Sequence, residues 1–177
     1  MGKYISNGQG WTYGIVSSIS DVQNITSASV GDSVFCEDCE RPCYYDGDVW
    51  TNEDCVVVNY AYSEEDALVE GDVVVTANTG LGASVVEVTK SIAAGNGRIL
   101  GVVVWTSADD TKVSVAVKGR YRTKLTSSVG AGRVITTSTT SGSAQQNAGT
   151  FHTGVFGFTT GSGTTPHCII LARKELY

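Results

Sequence analysis

The sequence predicts an all-β fold: a small N-terminal hairpin module followed by a Val/Thr/Gly-rich β-barrel or sandwich. Three observations predict it. Glycine supplies 21 of the 177 residues beside abundant Val, Thr and Ser, with only two prolines and one methionine. Val and Thr suit a pleated, half-buried strand, while Gly with Ser and Asn suits tight turns. The apolar residues come in short runs or strict alternation. Turn-formers then punctuate those runs at regular spacing, the pattern of many short strands in a sandwich or closed barrel.

Two regions differ in character. Residues 1–65 hold four of the five cysteines, two of the three tryptophans and most of the tyrosines. They read as a cysteine- and aromatic-rich hairpin module, a docking arm or protrusion. Residues 66–177 read as the main β domain. Ser63-Glu64-Glu65-Asp66 marks the boundary and suits a capped helical turn.

In the first region Val34-Phe35-Cys36 runs into a turn and Cys43-Tyr44-Tyr45 leads to Asp46-Gly47 and Asp48-Val49-Trp50. Asp-Gly between β-prone residues predicts a two-residue type I′ connection, because Gly accepts positive φ without a Cβ clash. Val56-Val57-Val58 reads as a buried strand. The second region offers Val73–Val75, Val85–Val88, Ile99–Trp105 and the alternating Val113, Val115 and Val117. A bulge is expected at Gly119, with the strand carrying on through Tyr121, Thr123 and Leu125. Val134-Ile135, Val155-Phe156 and Ile169-Ile170-Leu171 supply three more strands.

Composition excludes several function classes. Charged residues make up 17 % of the chain and the net charge is -6, whereas a nucleic-acid binder needs clustered Lys and Arg to displace phosphate counterions. One cationic row, Lys118, Arg120, Arg122 and Lys124, projects from a single sheet face. It reads either as a solvated face or as a partner for an acidic protein surface. Met1-Gly2 opens a short myristoylation-like pattern that arises readily by chance. Lys3 is followed by polar residues, so no signal peptide is expected, and no run approaches the roughly 20 apolar residues of a membrane span.

The run Gly71-Asp72-Val73-Val74, Ile99-Leu100-Gly101-Val102 and Val113-x-Val115-x-Val117-x-Gly119 resembles the barrel of tailed-phage capsid decoration (cement) proteins. So do Gly130-Ala131-Gly132, Ile135-Thr136-Thr137-Ser138, Gly142-Ser143-Ala144 and Gly154-Val155-Phe156-Gly157. Val30–Phe35 with Tyr44–Trp50 resembles a hairpin recurring in phage virion and fibre proteins, from which it departs by carrying cysteines. The resemblance implies a non-enzymatic structural protein of the capsid surface, assembled in the host cytoplasm. Its implied partners are the major capsid protein and itself, as a homotrimer. The alternative is a head fibre or tail protein that binds a host receptor or carbohydrate.

Cys36, Cys39, Cys43 and Cys55 fall within 20 residues, and Cys36-Glu37-Asp38-Cys39 has the gap of a metal knuckle. Four thiolates suffice for tetrahedral zinc. Free thiols packed as small hydrophobes are the other main reading, with disulfides disfavoured by assembly in a reducing cytoplasm, and no other cofactor is expected. His152 and His167 lie in no nucleophile-elbow or metalloprotease motif, so no catalytic residue is assigned. Asp46, Asp48, Glu53 and Asp54 lack EF-hand spacing and suit a solvated hairpin end better than calcium. Interface candidates are Trp11, Tyr13, Tyr44, Tyr45 and Trp50, since Trp and Tyr dominate binding hot spots, together with Arg120, Arg122 and Lys124.

Overall fold

The computed structural model describes residues 5–6, 12–60, 67–77, 87–109, 111–149 and 154–171. In chain order they form β1 (Ile5–Ser6), β2 (Thr12–Tyr13), β3 (Ile15–Val16), α1 (Ile19–Gln23), β4 (Ser33–Cys36), β5 (Arg41–Tyr45), β6 (Trp50–Thr51) and β7 (Cys55–Asn59). The second region adds β8 (Val73–Thr76), β9 (Val88–Lys90), β10 (Ile99–Thr106), β11 (Lys112–Ala116) and β12 (Gly119–Arg122). It ends with β13 (Val134–Thr137), β14 (Ala144–Gln146), β15 (Val155–Thr159) and β16 (His167–Ile170). The all-β class read from composition is the observed one.

The strands form a β1-β2 ribbon, a four-stranded sheet β3-β4-β5-β6, and two five-stranded sheets ordered β7-β11-β10-β8-β9 and β12-β16-β15-β13-β14. Both five-stranded sheets are antiparallel; β3 runs parallel to β4. None closes into a barrel, so of the two expected architectures the barrel is set aside and the layered sandwich holds. Isolated bridges join Asn59 to Glu87 and Leu125 to Ala144 beside the sheet edges, but neither extends into a ladder.

Packing follows from the alternation. Val73, Val75, Ile99 and Val102 of the first five-stranded sheet share one core with Leu125, Ile135, Phe156, Cys168 and Ile170 of the second half. On its other face the first sheet buries Val74, Val103, Val113 and Val115 with Tyr60 and Leu68. Strands buried on both faces need continuous apolar runs, and this explains why Val102, Val103, Val104 and Trp105 are all hidden.

Gly119 departs from expectation. Instead of a bulge in one strand, it is the point where the chain leaves the first five-stranded sheet at β11 and enters the second at β12. Its φ of +93° is one that only Gly adopts without strain. The Asp46-Gly47 connection is also wider than expected. Tyr45 pairs directly with Trp50, so residues 46–49 form a four-residue loop. The Asp46 carboxylate orders it by accepting from the N–H groups of Asp48 at 2.9 Å and Val49 at 2.8 Å.

One helix went unanticipated. Ser18 caps α1 by accepting from Asp21 N–H, and the Asp21 side chain accepts from Ser18 N–H in return, a reciprocal box that satisfies orphan donors. The helical turn expected at Ser63–Asp66 and the strand residues Val85 and Val86 lie outside the described residues, as does the 61–66 stretch on which the regional boundary falls. Contacts nonetheless cross that boundary. β7 pairs with β11 over Cys55–Asn59, and the core beneath the four-stranded sheet includes Val104, Trp105, Ala116 and Tyr121. Among the described residues no helix is long and apolar enough to cross a membrane.

Candidate metal centre

The β4–β5 hairpin builds the site. Val34 pairs with Cys43 and Cys36 with Arg41, so Cys36 and Cys43 sit diagonally on the buried face, a placement that brings side chains within reach. The turn 37–40 adds Cys39. It closes through a Glu40 N–H to Glu37 carbonyl bond of 3.1 Å. It also forces Glu40 into a left-handed conformation at φ 58°, the one non-glycine with positive φ among the described residues. That conformation costs a side-chain-bearing residue about 1 kcal/mol, and in this turn it accompanies the folding of Cys39 back beneath the hairpin. Arg41 steadies the turn by donating from Nε to the Cys39 carbonyl at 2.9 Å.

The three sulfurs lie within 4.8 Å of one another, with Cys39 Sγ 2.9 Å from Cys36 Sγ, and all three cysteines are buried. Three sulfurs bound at about 2.3 Å to a common ion stand roughly 4 Å apart, so holding a metal requires the Cys36 and Cys39 sulfurs, 2.9 Å apart, to separate by about 1 Å through side-chain rotation. With that adjustment the cluster can hold one. Among the described residues it is the one group of three or more metal-ligating side chains. The thiols differ in acidity. Cys36 is held far below the ordinary thiol range by hydrogen bonds from Cys39 and then Cys43. Cys39 is correspondingly raised by Cys36. Cys36 is thus the more acidic of the two.

Cys55, the fourth candidate, is not in the cluster. The 52–55 turn, closed by a Cys55 N–H to Asn52 carbonyl bond of 3.0 Å, turns it toward Tyr121, with Cys55 Sγ 4.0 Å from the Tyr121 hydroxyl. That hydroxyl donates to Asn52 Oδ1 at 3.0 Å, and Asn52 Nδ2 approaches Cys43 Sγ at 4.0 Å. Asn52 and Tyr121 therefore stand between Cys55 and the triad. Burial pushes the Cys55 thiol up to about 11. All five cysteines are free thiols in this structure.

The cationic row is matched within the chain. Lys118 lies 3.4 Å from Asp54, Arg120 3.8 Å from Glu40, Arg122 4.0 Å from Asp38, and Lys124 2.8 Å from Asp72. Two of those carboxylates belong to the cysteine turn itself. Sequence spacing displayed the cations; their partners come from three earlier segments, the cysteine turn, the turn before β7 and the turn before β8. Among the acidic residues weighed for calcium, Asp48 pairs with Lys112 and Asp54 with Arg41, while Glu53 lies 3.7 Å from Arg41.

Of the aromatic candidates, Trp50 is buried and packs at 5.6 Å between ring centroids against the half-buried Tyr45. Tyr44 is exposed on β5. Trp11 and the Tyr13 side chain lie outside the described residues, as does His152. His167 sits on β16, its pKa lowered by burial and by Arg120 and Arg122.

Sequence reasoning missed an apolar outer face on the four-stranded sheet. Ile15 pairs with Phe35 and Phe35 with Pro42, and Ile15, Phe35 and Tyr44 are 60 %, 42 % and 43 % exposed. The signal was present in the period-2 alternation of Ser33-Val34-Phe35-Cys36, where Phe35 stands opposite the buried Val34 and Cys36. No protein family, no curated protein and no solved structure matches the chain.

Proposed function

We propose that the chain is a non-catalytic structural protein that decorates the assembled shell of a tailed-phage virion, docking on the major capsid protein as a homotrimer. The observation that carries this reading is the exposed apolar row Ile15–Phe35–Pro42 with Tyr44. Contiguous apolar surface on a soluble sheet marks a contact site, and an aromatic pair on a rigid hairpin is the kind of anchor that dominates interfaces. A second outward row, Val134–Phe158–Ile169, crosses β13, β15 and β16. Two separated contact faces suit an assembly in which several modest interfaces act together. The motif resemblance of residues 66–177 supports the same assignment.

The mechanism is mechanical. A protein that binds the closed shell but not its dissociated subunits stabilises the shell by mass action. In that setting the cysteine triad is structural: a thiophilic ion would pin the hairpin that carries the docking face. Cryo-electron microscopy of the parent particles is expected to show the chain on the head, and density confined to the tail overturns the proposal. The double variant Phe35→Asp with Tyr44→Asp is expected to keep its β-sheet circular dichroism and lose sedimentation with shells.

A further inference from the structure

We infer that the ion at the hairpin is held by three sulfurs only, those of Cys36, Cys39 and Cys43, with Asn52 closing the fourth side as a neighbour of Cys43 instead of as a ligand. This rests on the reading that the triad binds metal. It concerns what zinc chemistry would otherwise demand, since structural zinc sites are closed by four protein ligands and sites with three keep an exchangeable water.

Among the described residues neither completion is built. The fourth cysteine of the region is separated from the triad by the Cys43–Asn52–Tyr121–Cys55 chain of contacts, at 4.0 Å, 3.0 Å and 4.0 Å in turn. Asn52 is fully buried and its Oδ1 is already committed, accepting from Asp54 N–H at 2.9 Å as well as from the Tyr121 hydroxyl. What it presents to Cys43 is the amide N–H side, which can support a thiolate but cannot ligate. Of the turn's carboxylates, Asp38 lies toward Arg122 and Glu40 toward Arg120, and Glu37 is exposed. A water ligand has poor access, because Cys36 and Cys43 have no exposed surface and Val34, Trp50 and Tyr121 of the same core are buried with them.

A dry, all-sulfur, three-coordinate pocket favours soft ions. Thiolate ligands select such ions over harder ones, and affinity in these sites is decided by ligand softness and by geometry. The site therefore takes cadmium or cuprous copper in preference to zinc. The asymmetry follows from what each ion loses: zinc forgoes its fourth ligand, whereas a softer ion keeps three strong sulfur bonds.

The test uses the full chain, reduced and stripped of metal under anaerobic conditions, with cadmium and zinc salts as probes. Cadmium is expected to give a thiolate-to-metal ultraviolet band saturating at one ion per chain, and equimolar cadmium is expected to displace bound zinc. X-ray absorption on the unmodified cadmium-loaded chain is expected to count three sulfurs. Cys55→Ser is expected to leave the band unchanged, while Cys43→Ser removes about a third of it or abolishes binding. Four sulfurs, a band weakened by Cys55→Ser, or zinc that resists cadmium would each overturn the three-sulfur site while leaving the metal reading intact. Absence of any band in the unmodified chain rejects the metal reading itself.

Discussion

Gly119 lies against Asp54 so closely that a Cβ at position 119 would overlap the carboxylate Oδ2 and stand 3.0 Å from its Cγ. The contact joins the turn before β7 to the point where the chain passes between the two five-stranded sheets. Gly119→Ala must therefore strain a φ of +93° and displace a buried, ion-paired group. The expected loss is roughly 2–4 kcal/mol, read as a lower urea midpoint with an unchanged slope. A variant within a few tenths of wild type would show that the carboxylate moves freely.

Asp54 itself is an ionic node. Its side chain is buried and meets Arg41 and Lys118, while its backbone carbonyl accepts from Val117 N–H. Asp54→Asn removes the buried carboxylate facing Arg41 and leaves it only the exposed Glu53 at 3.7 Å; breaking a buried pair this way typically costs about 3–5 kcal/mol. The lower end is expected here, since Lys118 is half exposed and finds water. Chemical denaturation checks it, and adding Arg41→Met to the same chain should recover part of the loss.

Tyr121→Phe removes one donor to Asn52 Oδ1, which keeps its bond from Asp54 N–H. Because the acceptor is not orphaned, the expected cost is about 1 kcal/mol. Thermal melting of the pair of proteins at one pH measures it. A loss several times larger would mean that the hydroxyl also holds the cysteine wall in place.

His167 predicts a weakening in acid. Burial first, then Arg120 and Arg122, lower its folded pKa, and Asp38 opposes them only in part. An imidazole with a depressed folded pKa is charged more readily in the unfolded chain, so the unfolded state binds more protons just below the unperturbed value near 6.5. Stability then rises with pH across that window and falls as pH drops through it. Melting temperatures between pH 5 and 7 should show this slope, and His167→Gln should flatten it. An identical slope in the variant would assign the effect to another group.

Much of the fold was legible because its strands are marked locally. Val73–Val75, Ile99–Trp105, Val134-Ile135 and the β4–β5 hairpin all announce themselves through apolar runs and turn residues. What the local pattern could not show is which sheet a strand joins. Val113 to Leu125 reads as one strand with a kink, whereas the chain passes between two sheets at Gly119, whose positive φ lies against Asp54. α1 was missed because five residues carry too little periodicity to stand out, although Ser18 and Asp21 had the spacing of a cap. Within the site, Cys36, Cys39 and Cys43 are brought together by one hairpin, a short-range fact that their spacing encodes. The exclusion of Cys55 depends on Asn52 and Tyr121, and the latter comes from 66 positions further along.

The hairpin that carries the cysteines is finished by residues from far downstream. Its interior is filled by Val104, Trp105, Ala116 and Tyr121, and the Trp105 indole N–H reaches back to the Ile19 carbonyl at 3.4 Å. During vectorial synthesis the first fifty residues consequently emerge from the ribosome with nothing to close over them. Their thiols stay open to solvent until at least Tyr121 has been translated. The interior of the hairpin is thus completed late, when the indole and phenol rings arrive to cover the three sulfurs.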